Sequence, residues 1–232
     1  MPGQWPIGGH RLIEDLHGKQ LWDKQPMRNS PDTCHRERHH HQMDWQQLVS
    51  VILDELSRAS EEHSCIMAAT VLLDVLRDKE IKHAYPLTVK ARIFNPRLTE
   101  RLNKEPLPTP NLMAHLGADG CHMVAIGHGE GSSGQWSAHL VVVIPKGLRG
   151  KDAICDLTIT QASVPGWGIH LRPILQAVRD PFTNGSEDIG VIINGSRVIY
   201  RAFPDDHSFE QASLWKRNPK RDSIVKRVLN RL

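Results

Sequence analysis

The sequence predicts an α+β domain, with helices first and an antiparallel sheet after them. Three observations predict it. Two early stretches carry apolar residues at helical spacing, and a series of short apolar runs follows. Asn194-Gly195 also stands between two such runs, which is the strongest short-range signal of a β-hairpin.

The chain has 232 residues, 39% of them hydrophobic and 24% charged, which is ordinary globular composition and excludes wholesale disorder. Residues 1–43 differ from the rest, being rich in Pro, Gly, Gln and His without sustained periodicity, and are expected to be a flexible or irregular segment. Residues 44–232 are expected to form one domain. "CHRERHHHQ", residues 34–42, contains metal-ligating residue types, but no second element supplies convergent ligands. A solvated segment is the reading preferred over a metal site, and no metal or cofactor is expected.

"MDWQQLVSVILDELSR" places Trp45, Leu48, Val51, Ile52 and Leu56 on one helical face. "CIMAATVLLDVLRDKEI" repeats the spacing at Ile66, Ala69, Leu72, Leu73 and Leu76, with Ser64 positioned to cap the helix. Cys65 therefore stands in the first turn. "HAYPLTVKARIFN" alternates Tyr85, Leu87, Val89, Ala91 and Ile93 with polar residues, as a half-buried strand does. A Pro-punctuated loop or short helix follows, then a short strand in "CHMVAIGHG" and a glycine and serine turn. "HLVVVI" is apolar throughout and reads as a strand buried on both faces. "AICDLTI" is the next strand, and the Asn194-Gly195 hairpin comes later. A terminal helix over residues 209–232 is expected to break near Asn218-Pro219.

The net charge of +3 lacks the strong basic footprint of a nucleic-acid binder, so nucleic acid is not the expected partner. The basic end of the chain, "WKRNPKRDSIVKRVLNRL", reads as a solvated helix face, with nucleic-acid or partner binding as its alternative. No run of about 18 apolar residues exists to cross a membrane. The first 20 residues also lack the apolar core of a secretory signal. Cys34, Cys65, Cys121 and Cys155 form no CxxC pair and no zinc-type spacing. They are read as reduced thiols in a cytoplasmic protein, with Cys121 and Cys155 in the core.

A thiol is nucleophilic as its thiolate, and a helix start favours that form because unpaired N–H groups and the positive dipole end face it. Cys65 stands at such a start. An imidazole would take the thiol proton, and a carboxylate on the other ring nitrogen would fix its tautomer. His139 and Asp156 are expected to begin adjacent strands and so to lie side by side. Each residue also has a plainer reading: Cys65 as a buried helix residue, His139 as a strand-start residue, and Asp156 as a turn former making an Asx-type hydrogen bond. Cys121-His122 is a rival pair, although neighbours on a strand point to opposite faces. His128 and His170 are reserve bases. "GHGEGSSG" lacks the Lys-Ser/Thr pair of a phosphate-binding loop.

The order "SCIMAATVLLDVL", "WSAHLVVVI", "CDLTITQA" resembles the transglutaminase-like branch of the papain-like superfamily. There a helix opening with Cys precedes a strand opening with His and a strand ending in an Asp-x-Thr-like turn. The resemblance covers roughly residues 64–162. It implies a papain-like fold, with Cys65 as nucleophile, His139 as general base and acid, and Asp156 as the orienting carboxylate. The implied reaction is acyl-enzyme chemistry on a peptide or protein substrate, by hydrolysis or by transfer to an amine; a binding or scaffold module with the same fold is the alternative. Trp136, Gln161, Trp167 and His63 are candidates for substrate or oxyanion contacts. The chain departs from the pattern at Val141, where transglutaminases commonly carry an aromatic, and in the long stretch 95–120 before the His strand.

Overall fold

The first helix begins where Asp44 folds its side chain back: Oδ1 accepts from the Gln46 and Gln47 N–H groups at 3.0 Å each. In the computed structural model this helix, α1, is Trp45–Arg58. The structure describes residues 43–61, 64–104, 117, 119–127, 138–178 and 188–232. Residues 34–42, His63, His128 and Trp136 lie outside it, as does most of the glycine and serine turn.

Ser64 caps the second helix, α2 (Cys65–Asp78), by accepting from the Met67 N–H at 3.2 Å, as its position in the sequence predicts. Almost every residue of α2 up to Leu76 is buried, because the helix lies between the sheet and two other helices. The next elements are β1 (Tyr85–Phe94), α3 (Pro96–Lys104), β2 (Met123–Ile126), β3 (His139–Leu148) and β4 (Lys151–Asp156). They are followed by β5 (Ile174–Ala177), β6 (Ile189–Ile193), β7 (Ser196–Ala202) and α4 (Pro219–Leu229). No helix among the described residues is long and apolar enough to cross a membrane.

The seven strands form one antiparallel sheet in the order β5-β4-β3-β1-β7-β6. β2 continues the edge that β3 occupies: β3 pairs with Tyr85–Val89 of β1, and β2 pairs with Ala91–Phe94. β3 is buried on both faces from Leu140 to Ile144, as its apolar run predicts. One face packs Leu140, Val142, Ala153, Cys155 and Leu157 against α1, α2 and α4. The other face gathers Val89, Val141, Ile154, Ile174, Val191 and Tyr200 into a second core. That core takes residues from both edge strands, so the sheet curls until it is nearly closed.

The β6–β7 hairpin turns at Asn194 and Gly195, both at positive φ (48° and 79°), which is the geometry that the Asn-Gly pair favours. Two expectations change. The terminal helix is α4 alone: Asn218 caps it by accepting from Arg221 N–H at 3.0 Å, and Pro219 opens it. Proline fits a first helical turn and biases its predecessor away from the helix, so residues 209–218 form a 3₁₀ turn and bends instead. The other change is β5, which the sequence conceals. It has only four residues, follows Pro173, and sits at a sheet edge where a missing donor costs nothing.

Candidate active site

Asp156 is the last residue of β4, not the first of a strand, and the antiparallel pairing makes that the position that works. The start of β3 and the end of β4 lie at the same end of the sheet, whereas two strand starts would lie at opposite ends. His139 opens β3 there, and its Nε2 is 2.8 Å from Asp156 Oδ2.

Asp156 is fully buried and its oxygens are well supplied with donors. Oδ1 accepts from the Thr158 backbone N–H at 3.1 Å, the Asx-type bond of its plainer reading. Oδ2 accepts from His139 Nε2–H and from the Tyr200 hydroxyl at 2.9 Å. The turn former and the partner of histidine are thus the same carboxylate.

His139 is 1% exposed. Burial alone pushes its imidazole towards the neutral form, but the charge and hydrogen bond of Asp156, joined by the Cys65 sulfur, push it up to about 10. The ring is therefore cationic at neutral pH. With Nε2 committed to Asp156, Nδ1 is the nitrogen left for other partners. Gln161 Nε2 lies 3.3 Å from it. That amide suits either state of the ring, donating to a neutral Nδ1 or, turned over, accepting from the imidazolium. Gln161 comes from a 3₁₀ turn, Ile159–Ala162, which follows β4 directly and carries the side chain back over the histidine.

Cys65 is the first residue of α2 and is partly exposed. The helix start leaves its N–H and that of Ile66 outside the i to i−4 ladder. Ala68, Ala69, Leu72, Leu140 and Leu157 wall the inner side of the thiol, and only about 10 Å³ of cavity remains there. A single water needs roughly 10–15 Å³. A reacting group must therefore approach from the solvent side.

The sequence-predicted set Cys65, His139, Asp156 and Gln161 is brought together. Trp167 is placed elsewhere: its ring stacks on His122 at 4.7 Å, and its carbonyl accepts from Asn95 Nδ2 at 3.1 Å. Asn95 lies six residues along the chain from Val89, the partner of His139, which is roughly 20 Å of strand. The same stack draws the His122 ring onto Trp167, and Cys121 is buried. Cys155 is also buried, which together with the neighbouring Asp156 charge pushes its thiol far up.

Two contributors escape a reading of the sequence. Tyr200 belongs to an inward stripe, Val198, Tyr200, Ala202, whose buried phenol requires a partner, so the signal was a lone hydroxyl among apolar residues. Gly127 (φ +76°) passes so close to the site that a Cβ there would lie 2.5 Å from Val89 O and 2.6 Å from His139 N. Among the described residues no group of three or more His, Cys, Asp or Glu is gathered to hold a metal ion. No family model, curated protein or solved structure matches the chain.

Proposed function

We propose that the chain is a cysteine hydrolase, a peptidase or amidase with an architecture of the papain-like, transglutaminase-like kind, acting through Cys65, His139 and Asp156. The observation that carries the reading is the buried 2.8 Å contact of His139 Nε2 with Asp156 Oδ2, beside a helix that opens with a partly exposed cysteine. Buried pairs of this kind also occur as structural elements. A thiol at a helix start that interacts with the same imidazole is what gives this one a chemical use.

In the reaction, the proton of the Cys65 thiol is the one that His139 already holds on Nδ1, so the sulfur acts as the thiolate of an ion pair and bonds to the carbonyl carbon of a peptide or amide. The carbonyl π electrons move to oxygen, where the Cys65 N–H and the Gln161 amide are the donors in reach. Collapse of this intermediate breaks the C–N bond as the imidazolium protonates the leaving amine, giving a thioester. Water then attacks the thioester, His139 takes its proton, and the C–S bond breaks to release a carboxylic acid and restore the Cys65 thiolate beside the His139 imidazolium. Asp156 keeps its carboxylate throughout and holds the ring in one tautomer and orientation. Acyl transfer would use the same thioester with an amine in place of water. A cytoplasmic setting goes with this reading, in which the cysteines act as thiols and form no CxxC pair.

The test is the rate of iodoacetamide alkylation at each cysteine in the parent and in His139→Ala, followed by mass spectrometry. Fast labelling of Cys65 that slows at least tenfold in the variant is expected. Equal rates in the two proteins would overturn the reading and leave a binding module.

A further inference from the structure

Oδ2 of Asp156 serves two donors. His139 Nε2 lies 2.8 Å from it, and the Tyr200 hydroxyl reaches it from β7 at 2.9 Å. All three side chains are buried, at 1%, 0% and 0% exposure for His139, Asp156 and Tyr200. Water therefore does not compete for that oxygen, and the charge it lends to one donor is withdrawn from the other.

We propose that Tyr200 is a positioning residue that sets, through Asp156, how tightly His139 holds its proton. The inference rests on the hydrolase reading for its consequence in catalysis, because His139 must accept a proton from water in one step and carry one to the leaving amine in the other. Among the described residues, the titratable groups that act on His139 are Asp156 on β4 and Cys65 on α2. Those that act on Tyr200 are Asp156 and Cys155. Burial first, and then the Asp156 charge, hold the phenol well above its ordinary range, so it stays a neutral donor while the histidine titrates.

A phenol that donates to Oδ2 disperses the carboxylate charge and weakens its pull on the Nε2 proton. Removing the phenol concentrates that charge on the imidazolium. A hydrogen bond to a charged group is among the stronger ones, and transmission of part of its loss through Asp156 raises the His139 pKa by roughly 0.5–1 unit. Thioester hydrolysis, which needs the free base, slows at neutral pH by a similar factor of about three to ten.

The experiment grades the donor instead of deleting it. The chain has two tyrosines, so in a Tyr85→Phe background Tyr200 is the one position that takes up fluorotyrosines. A series of increasing phenol acidity in full-length protein, made in Cys65→Ala, is read by the His139 ring 15N titration and by the proton resonance of Nε2–H. The expected result is a stepwise fall in the His139 pKa and an upfield movement of the Nε2 proton as the phenol becomes more acidic. Tyr200→Phe should lie at the opposite extreme. A flat response across the series, or a fall in pKa in Tyr200→Phe, would overturn the inference and make Tyr200 a packing residue. This readout requires neither substrate nor an active thiol. It therefore fails separately from the hydrolase reading, which falls if Cys65 alkylation ignores His139.

Discussion

His139 Nε2 and Asp156 Oδ2 lie 2.8 Å apart at a point where β3 begins and β4 ends, and both side chains are closed off from solvent. A cation and an anion of this depth are costly to bury separately, and each offsets the desolvation of the other. The pair is also directional: it occupies one ring nitrogen and leaves the other facing the Cys65 and Gln161 side.

Replacing Asp156 by Asn removes the charge while keeping the shape. The imidazolium loses its largest support against burial, and the amide can also offer its NH₂ to Nε2 and thereby favour the wrong tautomer. Alkylation of Cys65 at pH 7 is expected to slow by roughly 10²- to 10⁴-fold, with Cys121 unchanged. Mass-spectrometric labelling of Cys65 and Cys121 checks this, and a slowing of less than about threefold at Cys65 would count against the pair.

The raised His139 pKa also fixes a pH dependence of stability. An ordinary histidine titrates at 6.5, and this one at about 10 in the folded chain. The folded state therefore binds the proton more tightly, so the contribution is complete below pH 6.5 and is lost as pH rises through about 10. Urea unfolding at pH 6 to 10 is expected to show falling stability, with a flatter profile in His139→Gln. Parallel profiles for the two proteins would contradict the assignment.

Gly127 offers a test that leaves every proposed reacting side chain in place. A Cβ at this residue meets Val89 O at 2.5 Å and His139 N at 2.6 Å, both backbone atoms that cannot swing away. Gly150 shares the left-handed conformation (φ +74°) but has nothing within 4 Å of its ideal Cβ, so Gly150→Ala isolates the backbone strain. Gly150→Ala should cost about 1–2 kcal/mol and leave thiol labelling alone. Gly127→Ala should cost roughly 2–5 kcal/mol and slow Cys65 labelling by displacing the first residue of β3. Thermal melts and labelling rates of both variants decide it.

The reach of the sequence is clearest around this site. Ser64 before an apolar helix places Cys65 at a helix start, and the uninterrupted "HLVVVI" places His139 at the mouth of a buried strand. Both are local signals that periodicity and capping carry. Asp156 is legible as a partner but not as a strand end, because "AICDLTI" continues its apolar alternation beyond the residue where pairing stops. The break comes from the Asx bond to Thr158 and the 3₁₀ turn after it. Tyr200 reaches Asp156 across 44 residues of chain, and only the curl of the sheet brings them together. β5 and the displacement of Trp167 are likewise tertiary outcomes with no period to announce them. The basic C-terminus is legible as a helix, but its acidic partners are not, since they lie on α1 and α2.

Those partners supply the last prediction. Glu55, on α1 and 1% exposed, accepts from Arg58 at 2.7 Å, Arg227 at 2.6 Å and Arg231 at 2.7 Å. Arg221 of α4 likewise pairs with Asp74 of α2 at 2.6 Å. Arg221 and Arg227 of α4 are thus engaged with acids of the same domain, while Ile224 and Val228 carry the helix into the core. Hydrogen bonds from Arg227, opposed by burial and reinforced by Arg231, hold the Glu55 carboxyl below its ordinary 4.5. Because the folded pKa is depressed, the contribution is present above pH 4.5 and is lost as pH falls through the folded value. Glu55→Gln should therefore lower stability by about 1–3 kcal/mol at pH 7, a range moderated by the half-exposed arginines. The gap between parent and variant should narrow at pH 3. Urea midpoints at the two pH values measure it. A gap that stays constant with pH would show that the loss comes from packing and not from the charge.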